Sequence, residues 1–235
     1  ITGSVGQFCT SPGIIVVTDS PALEPFKQAL AGSLIKVAPA KMLHQGIVKA
    51  FHSGRSKALA TKGVELLTPV NEYDEAMSLP TLAQTGAANF LANPHLHTEV
   101  FGPYCLLVVC EDAAQLLQVA QALEGQLTTS LMATETEAAA SKDLVLALQT
   151  ICGRLILNGV PTGVQVALAM QHGGPYPATT DSRFTAVGAD GIKRFARPLC
   201  FQNWNNSLLP DALKNENPSG LWRTVNNNLT KDTIA

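Results

Sequence analysis

Apolar positions fall along this chain in two distinct periods. "GIIVV" (Gly13–Val17), "YCLLVVC" (Tyr104–Cys110) and "GRLILN" (Gly153–Asn158) are short apolar runs, the pattern of strands buried on both faces. "VELLTPV" (Val64–Val70), the start of "LPTLAQTGAANFL" (Leu79–Leu91) and "LTTSLMAT" (Leu127–Thr134) read as further strands. Between these runs the period changes. Leu23, Phe26, Leu30, Leu34 and Val37 recur at spacings of three and four, one face of a helix. Ser20 and Pro21 are expected to cap and open that helix. A second helix is expected from about Lys41 to Ala60, and a short one ends "LPTLAQTGAANFL". "EDAAQLLQVAQAL" predicts a helix capped by Asp112, and "EAAASKDLVLALQTIC" a helix with Leu144, Val145, Leu148 and Ile151 on one face. Strands alternating with helices predict an α/β domain, its mostly parallel sheet flanked by helices.

The alternation stops at Gly159. From there to Gly188 glycine, proline, threonine and histidine dominate, and a loop of that length inside a domain is usually functional or disordered. From Phe201 the chain turns polar and Asn-rich, with "NENPSG" as a turn, and is expected to run over the surface as a tail.

Composition narrows the classes. Apolar residues are 46% of 235 and charged residues 14%, a balance that favours a packed core over disorder. Net charge is −2 with Lys and Arg scattered, so no basic stripe for nucleic acid is present. No apolar run approaches the ~20 residues of a membrane-spanning helix. The five cysteines are odd in number, widely spaced and free of Cys-x-x-Cys pairs. That speaks against a disulfide framework or a zinc site and for a reducing, cytoplasmic setting.

Three stretches carry candidate chemistry. In "VGQFCTSPG" (Val5–Gly13), Cys9 alone among the cysteines has polar and glycine neighbours. A nucleophilic thiol needs such an accessible loop, and its own backbone N–H can face an oxyanion. In "HTEVFGP" (His97–Pro103), Glu99 and Phe101 project to one side of an extended chain, an acceptor beside a flat apolar wall. A solvated glutamate beside a core phenylalanine is the plainer reading of those two. "HLHTE" also sets His95, His97 and Glu99 at alternate positions, though spacing fixes no complete metal ligand set. In "QHGGPYPATTDSRF", Gly173 and Gly174 beside His172 offer close approach and Arg183 a fork for a carboxylate, unless the loop's polar groups simply satisfy one another.

A papain-like hydrolase would use Cys9 with Gln7, His172 and Asn205, but its Cys-Gly-Ser/Ala-Cys signature is absent and the α/β alternation does not suit its two lobes. "GQFC", then "TEVFGP" about 90 residues on, then "NGVPTG" and a Gly-rich loop, resemble the aldehyde dehydrogenase superfamily in content and order, over the whole chain. "NGVPTGVQV", "HGGPYPATTDSRFTAVG" and "IKRFARPLCFQNW" are most similar to the branch oxidising α-ketoglutaric semialdehyde (2,5-dioxopentanoate). The resemblance implies a Rossmann-like catalytic domain over residues 1–196, then an oligomerisation strand and C-terminal tail over 197–235. The strand is expected within "FARPLCFQNW" (Phe195–Trp204).

It implies Cys9 as the nucleophile that forms a thiohemiacetal and then a thioester. Glu99 would bind the nicotinamide ribose of NAD or NADP, Phe101 would pack beside the nicotinamide, and Gly102 and Pro103 would fix the turn. Asn158 would be a positioning residue, and the loop from Val160 to Val187 would wall the substrate entrance, with His172, Gly173 and Arg183 in the pocket. No Glu-Leu-Gly-Gly motif and no Gly-x-Gly-x-x-Gly occur, no Glu precedes Cys9, and "ITGSV" carries no initiator Met. The chain is therefore expected to be the C-terminal catalytic half of a longer enzyme. Its expected partners are a small aldehyde, the missing N-terminal half and copies of itself in a dimer or tetramer. A cysteine hydrolase or a catalytically silent assembly unit stand as the alternatives.

Overall fold

The computed structural model describes residues 1–69, 77–161 and 163–234. Its contacts divide the chain into two units, Ile1–Arg194 and Phe195–Ala235. Val70 of the expected "VELLTPV" strand and Thr162 of the expected entrance loop lie outside the described residues.

The first unit is built on a four-stranded sheet. β1 (Ile14–Thr18), β6 (Tyr104–Cys110) and β5 (Thr81–Gly86) lie parallel, and β3 (Glu65–Leu66) closes one edge antiparallel. Ile14 pairs with Leu106 and Thr81 with Tyr104, so β6 is the centre. That position explains why its run is apolar throughout, since both faces are covered. Tyr104, Leu106, Val108 and Cys110 point into a core with Val48, Phe51, Phe90 and Val119. Cys105, on the other face, joins Leu82 and Leu34. The helices are α1 (Leu23–Ile35), α2 (Gln45–Leu59), α3 (Ala87–Ala92) and α4 (Ala113–Ala122). α1 serves the Leu82 face, and α2 to α4 serve the Phe51 face.

A second parallel pair, β7 (Gln126–Leu131) and β8 (Cys152–Leu157), forms its own sheet beside α5 (Glu135–Ala140) and α6 (Lys142–Ile151). The parallel strands thus fall into two sheets. A minor antiparallel pair joins β2 (Ala40–Lys41) to β4 (Met77–Ser78).

Several local details differ from the sequence pattern. α1 begins at Leu23, and Ser20 contributes its carbonyl to the Leu23 N–H while its hydroxyl makes no cap. Phe26 is 42% exposed, so only part of the predicted face is covered. The expected helix from Lys41 starts at Gln45, because Lys41 pairs in β2 and His44 Nδ1 accepts from the N–H groups of Gly46 and Ile47. The expected single helix after residue 134 is two. Thr134 and Glu137 form a reciprocal capping box, and the Ser141 N–H bonds both Glu137 and Ala138 carbonyls, which ends α5. Asp112 caps α4 as predicted, accepting from the Gln115 N–H at 2.8 Å.

The second unit holds one hairpin, β9 (Arg223–Val225) and β10 (Asn228–Thr230), whose turn residues Asn226 and Asn227 have positive φ. Buried Asn217 donates to the carbonyls of Leu221 and Lys231, and Arg223 donates to those of Lys214, Asn215 and Asp232. Side-chain bonds to backbone order this polar segment in place of an apolar core. Phe195–Trp204, expected to contain a strand, contains none.

Candidate active site

The loop before β1 carries Cys9, and four contacts fix it. Gly6, at φ +67, lies so close to Gly102 that a methyl on it would stand 2.3 Å from the Gly102 carbonyl carbon and oxygen. The Leu43 N–H donates to Gln7 Oε1 at 2.9 Å. Thr10 Oγ1 donates to the Pro161 carbonyl at 2.5 Å. Cys9 Sγ lies 3.3 Å from His172 Nε2. Cys9 is exposed, and His172 is 8% exposed. Residues from "VGQFC", "EVFGP", "NGVPTG" and "QHGGP" therefore converge, although up to 163 positions separate them in the chain.

The Gly102 turn has its own reason to be glycine. At φ +144, a Cβ there would sit 2.4 Å from the Phe51 ring and 2.9 Å from Met42 Cε. Phe51 is fully buried, so the turn is pressed between the core and the Cys9 loop. Glu99 and Phe101 precede this turn. Glu99 is exposed by surface area, yet enough protein crowds its carboxyl that desolvation raises its pKa. It lines a shallow pocket with Lys57, His95, Thr98, Val100 and Tyr104.

His95 and His97 are occupied elsewhere. His95 Nε2 pairs with Thr61 Oγ1 at 2.7 Å, and His97 bonds the Phe90 carbonyl at 3.0 Å and stacks on the Phe90 ring. Among the described residues no group of three His, Cys, Asp or Glu side chains is placed to hold a metal.

The backbone of His172 is held on both sides. Its N–H donates to Thr185 Oγ1 at 2.9 Å, and its carbonyl accepts from the Ala186 N–H at 2.9 Å. The next residues press onto the second sheet. A Cβ on Gly153 of β8 would lie 2.1 Å from the Gly173 carbonyl, and one on Gly174 would lie 2.3 Å from the Gln126 carbonyl. The long loop is thus a docked segment whose glycines allow backbone to meet backbone. Burial and then the Arg154 charge lower the His172 pKa, so the ring is neutral around neutral pH.

Two sequence candidates stand apart from this cluster. Arg183 is exposed, and its Nε–H and Nη2–H donate to the Asp181 carboxylate at 2.9 and 2.7 Å. These bonds hold the Asp181 pKa at about 2, and the fork expected for a substrate carboxylate is spent on a neighbour. Asn158 has φ +51 and clips the ends of β7 and β8 together. Its Oδ1 accepts from the Ala133 N–H at 2.9 Å and its Nδ2 donates to the Ala133 carbonyl at 2.7 Å.

One charged neighbour of His172 escaped the sequence reading. Arg154 lies within β8, and its Nη1 donates to the Gly163 carbonyl at 2.8 Å. Its Nε and Nη2 are buried with no protein partner among the described residues, as is Oγ1 of Thr128, which is in register with it on β7. The available signal was a lone arginine inside the apolar run "GRLILN".

No family model matches the chain. It is 41% identical over 224 residues to α-ketoglutaric semialdehyde dehydrogenase 2 of Azospirillum brasilense, covering 95% of this chain. It is 42% identical over 230 residues to α-ketoglutaric semialdehyde dehydrogenase of Acinetobacter baylyi, covering 97%. The chain spans 43% and 44% of the length of these two relatives.

Among solved structures, the fold matches Δ-pyrroline-5-carboxylate dehydrogenase of Mycobacterium tuberculosis with a TM-score of 0.67 and 15% identity. That match covers 88% of this chain and 41% of the other. Succinic semialdehyde dehydrogenase of Streptococcus pyogenes, solved with NADP+, matches with a TM-score of 0.59 at 19% identity, over 72% of this chain and 37% of the other.

Proposed function

Since this chain belongs to the aldehyde dehydrogenase superfamily, we propose that it carries the nucleophile of a semialdehyde oxidation, with 2,5-dioxopentanoate as the substrate and its acid as the product. The observation that carries the reading is the exposed Cys9 thiol, held between the Gly102 turn and the docked His172 loop.

Cys9 Sγ adds to the aldehyde carbon, giving a thiohemiacetal on the protein. The Cys9 backbone N–H faces the oxygen that gains charge. NAD or NADP, when bound, supplies the hydride acceptor. Glu99, an exposed carboxylate, fits the ribose hydroxyls, and Phe101, two residues on, fits the nicotinamide face. Both precede the Gly102 turn, which meets Gly6 of the Cys9 loop. No glycine-rich phosphate loop occurs in these 235 residues, so the fit extends to the nicotinamide end alone. Loss of a hydride and of the hydroxyl proton from the thiohemiacetal leaves an acyl thioester on Cys9, which water cleaves to the acid and the free thiol. The loop from Val160 to Val187 walls the entrance, tied to the nucleophile by the Thr10–Pro161 bond.

A reducing cytoplasmic setting suits five unpaired thiols. Among the described residues no helix is long and apolar enough to cross a membrane. The Cys9–His172 pair also suits a cysteine hydrolase. The similarity to semialdehyde dehydrogenases across 95% of the chain favours the aldehyde reading.

The test is a carbonyl-labelled semialdehyde mixed with the 235-residue chain and followed by carbon NMR. A hemithioacetal signal that appears with the native chain and vanishes with Cys9→Ser is expected. An adduct that survives Cys9→Ser refutes the assignment of the nucleophile. Turnover of simple esters together with no aldehyde adduct would favour the hydrolase.

A further inference from the structure

We propose that His172 is a catalytic residue that takes the Cys9 thiol proton during attack and returns it to the oxygen of the adduct. The inference rests on Cys9 being the nucleophile. It concerns a different residue, and its test needs neither cofactor nor aldehyde.

The contact itself is direct. His172 Nε2 lies 3.3 Å from Cys9 Sγ, within hydrogen-bond reach for sulfur, and the two residues come from opposite ends of the unit. The imidazole sits on a rigid base. Thr185 and Ala186 hold its backbone, and Gly173 is seated on Gly153 of β8. A mobile surface histidine would not keep this distance.

The other ring nitrogen decides what the pair can do. Nδ1 is buried and has no protein partner among the described residues, in a side chain only 8% exposed. A carbonyl or carboxylate on Nδ1 would lock one tautomer. Without that lock, Nε2 can accept from the thiol or donate to the thiolate. A reversible proton carrier needs that freedom.

Charge around the ring favours transfer over storage. Arg154 of β8 and Cys9 are the charged or titratable groups that bear on it, while Asp181 and Arg183 of its own loop pair with each other at the surface. Burial and Arg154 both disfavour the imidazolium, so the ring is free to accept around neutral pH. For the same reason the imidazolium, once formed, is a stronger acid than an ordinary one and releases its proton readily. The step balances within these groups. The S–H bond breaks and its proton moves to Nε2, the S–C bond forms, and the carbonyl π pair moves to oxygen. The N–H proton then passes to that oxygen, leaving a neutral thiohemiacetal and neutral His172.

Site-resolved alkylation tests this on the full 235-residue chain. Iodoacetamide is applied from about pH 5 to 9, and peptide mass spectrometry reads Cys9 against exposed Cys200 as internal reference. At neutral pH the Cys9-to-Cys200 ratio is expected to fall by about tenfold or more in His172→Phe and in His172→Gln. The native profile is expected to lose rate below the ordinary histidine value of 6.5, and His172→Gln to lack that limb. Ratios within twofold of native in both variants overturn the proposal.

If neither variant folds, the native chain still decides. The His172 ring proton is titrated by NMR before and after Cys9 is carbamidomethylated. A displaced midpoint supports the pairing, and an unchanged one refutes it. Loss of the aldehyde adduct assignment with these results intact would sink the oxidation reading and leave the thiol–imidazole pair standing.

Discussion

Replacing Gly6 with alanine perturbs the contact on which the site is assembled. The residue has φ +67, a region that costs an L side chain about 1–2 kcal/mol. The new methyl would stand 2.3 Å from the carbonyl carbon and oxygen of Gly102, more than 1 Å inside ordinary contact. Gly102 cannot easily retreat, because the buried Phe51 ring and Met42 back it on the other side. Overpacking of this kind costs about 1–3 kcal/mol, for a total of about 2–5 kcal/mol. The alternative is that the loop lifts off, which withdraws Val5 from the core and separates Cys9 from His172.

Urea unfolding and Cys9 alkylation rate should therefore be measured together, with Gly13→Ala as control. A Cβ on Gly13 meets nothing within 4 Å, so that variant should match or slightly exceed native stability. Gly6→Ala is expected to lose stability, Cys9 reactivity or both. A variant within about 0.5 kcal/mol of native, with native Cys9 alkylation, would show that the Gly6–Gly102 approach does not position Cys9.

Other outcomes follow from single features. Glu99→Gln should weaken nicotinamide-nucleotide binding, read by cofactor-fluorescence titration. It should also flatten stability against pH: the raised Glu99 pKa means that native stability declines as pH rises from 4.5 through the folded value, and Gln removes that decline. Asn158→Ala should destabilise by about 1–3 kcal/mol in urea unfolding, through strain at φ +51 and loss of two bonds to Ala133, with Asn158→Gly recovering the strain part alone. His44→Ala, which removes the acceptor for Gly46 and Ile47, should cost about 1 kcal/mol in the same assay. The 235-residue chain alone is expected to form the Cys9 adduct without sustained nicotinamide reduction, since it contains no Glu-Leu-Gly-Gly motif and no glycine-rich phosphate loop. Steady absorbance growth from reduced cofactor would contradict this.

Periodicity and local chemistry made much of this protein legible from its sequence. An unbroken apolar run such as "YCLLVVC" has one stable place, the centre of a covered sheet, and β6 is there. Asp112 before an amphipathic run caps α4 because its short carboxylate reaches the exposed N–H groups. Cys9 stood out because glycine and polar neighbours mark an accessible thiol, and the order of motifs pointed to the family.

Tertiary structure decided matters that depend on distance across the chain. It split the parallel strands into two sheets and broke the helix at Ser141, where backbone hydrogen bonds close α5 locally. It paired Arg183 with Asp181 and spent Asn158 on Ala133, because a side chain takes the partner within reach whatever its motif suggests. It also brought His172 to Cys9 across 163 positions and the Arg154 charge close enough to lower the His172 pKa. Sequence fixes which groups are present and which segments can be buried. Which groups meet depends on loop closure and close backbone packing at Gly6, Gly102 and Gly153, and these contacts leave no periodic trace in the chain.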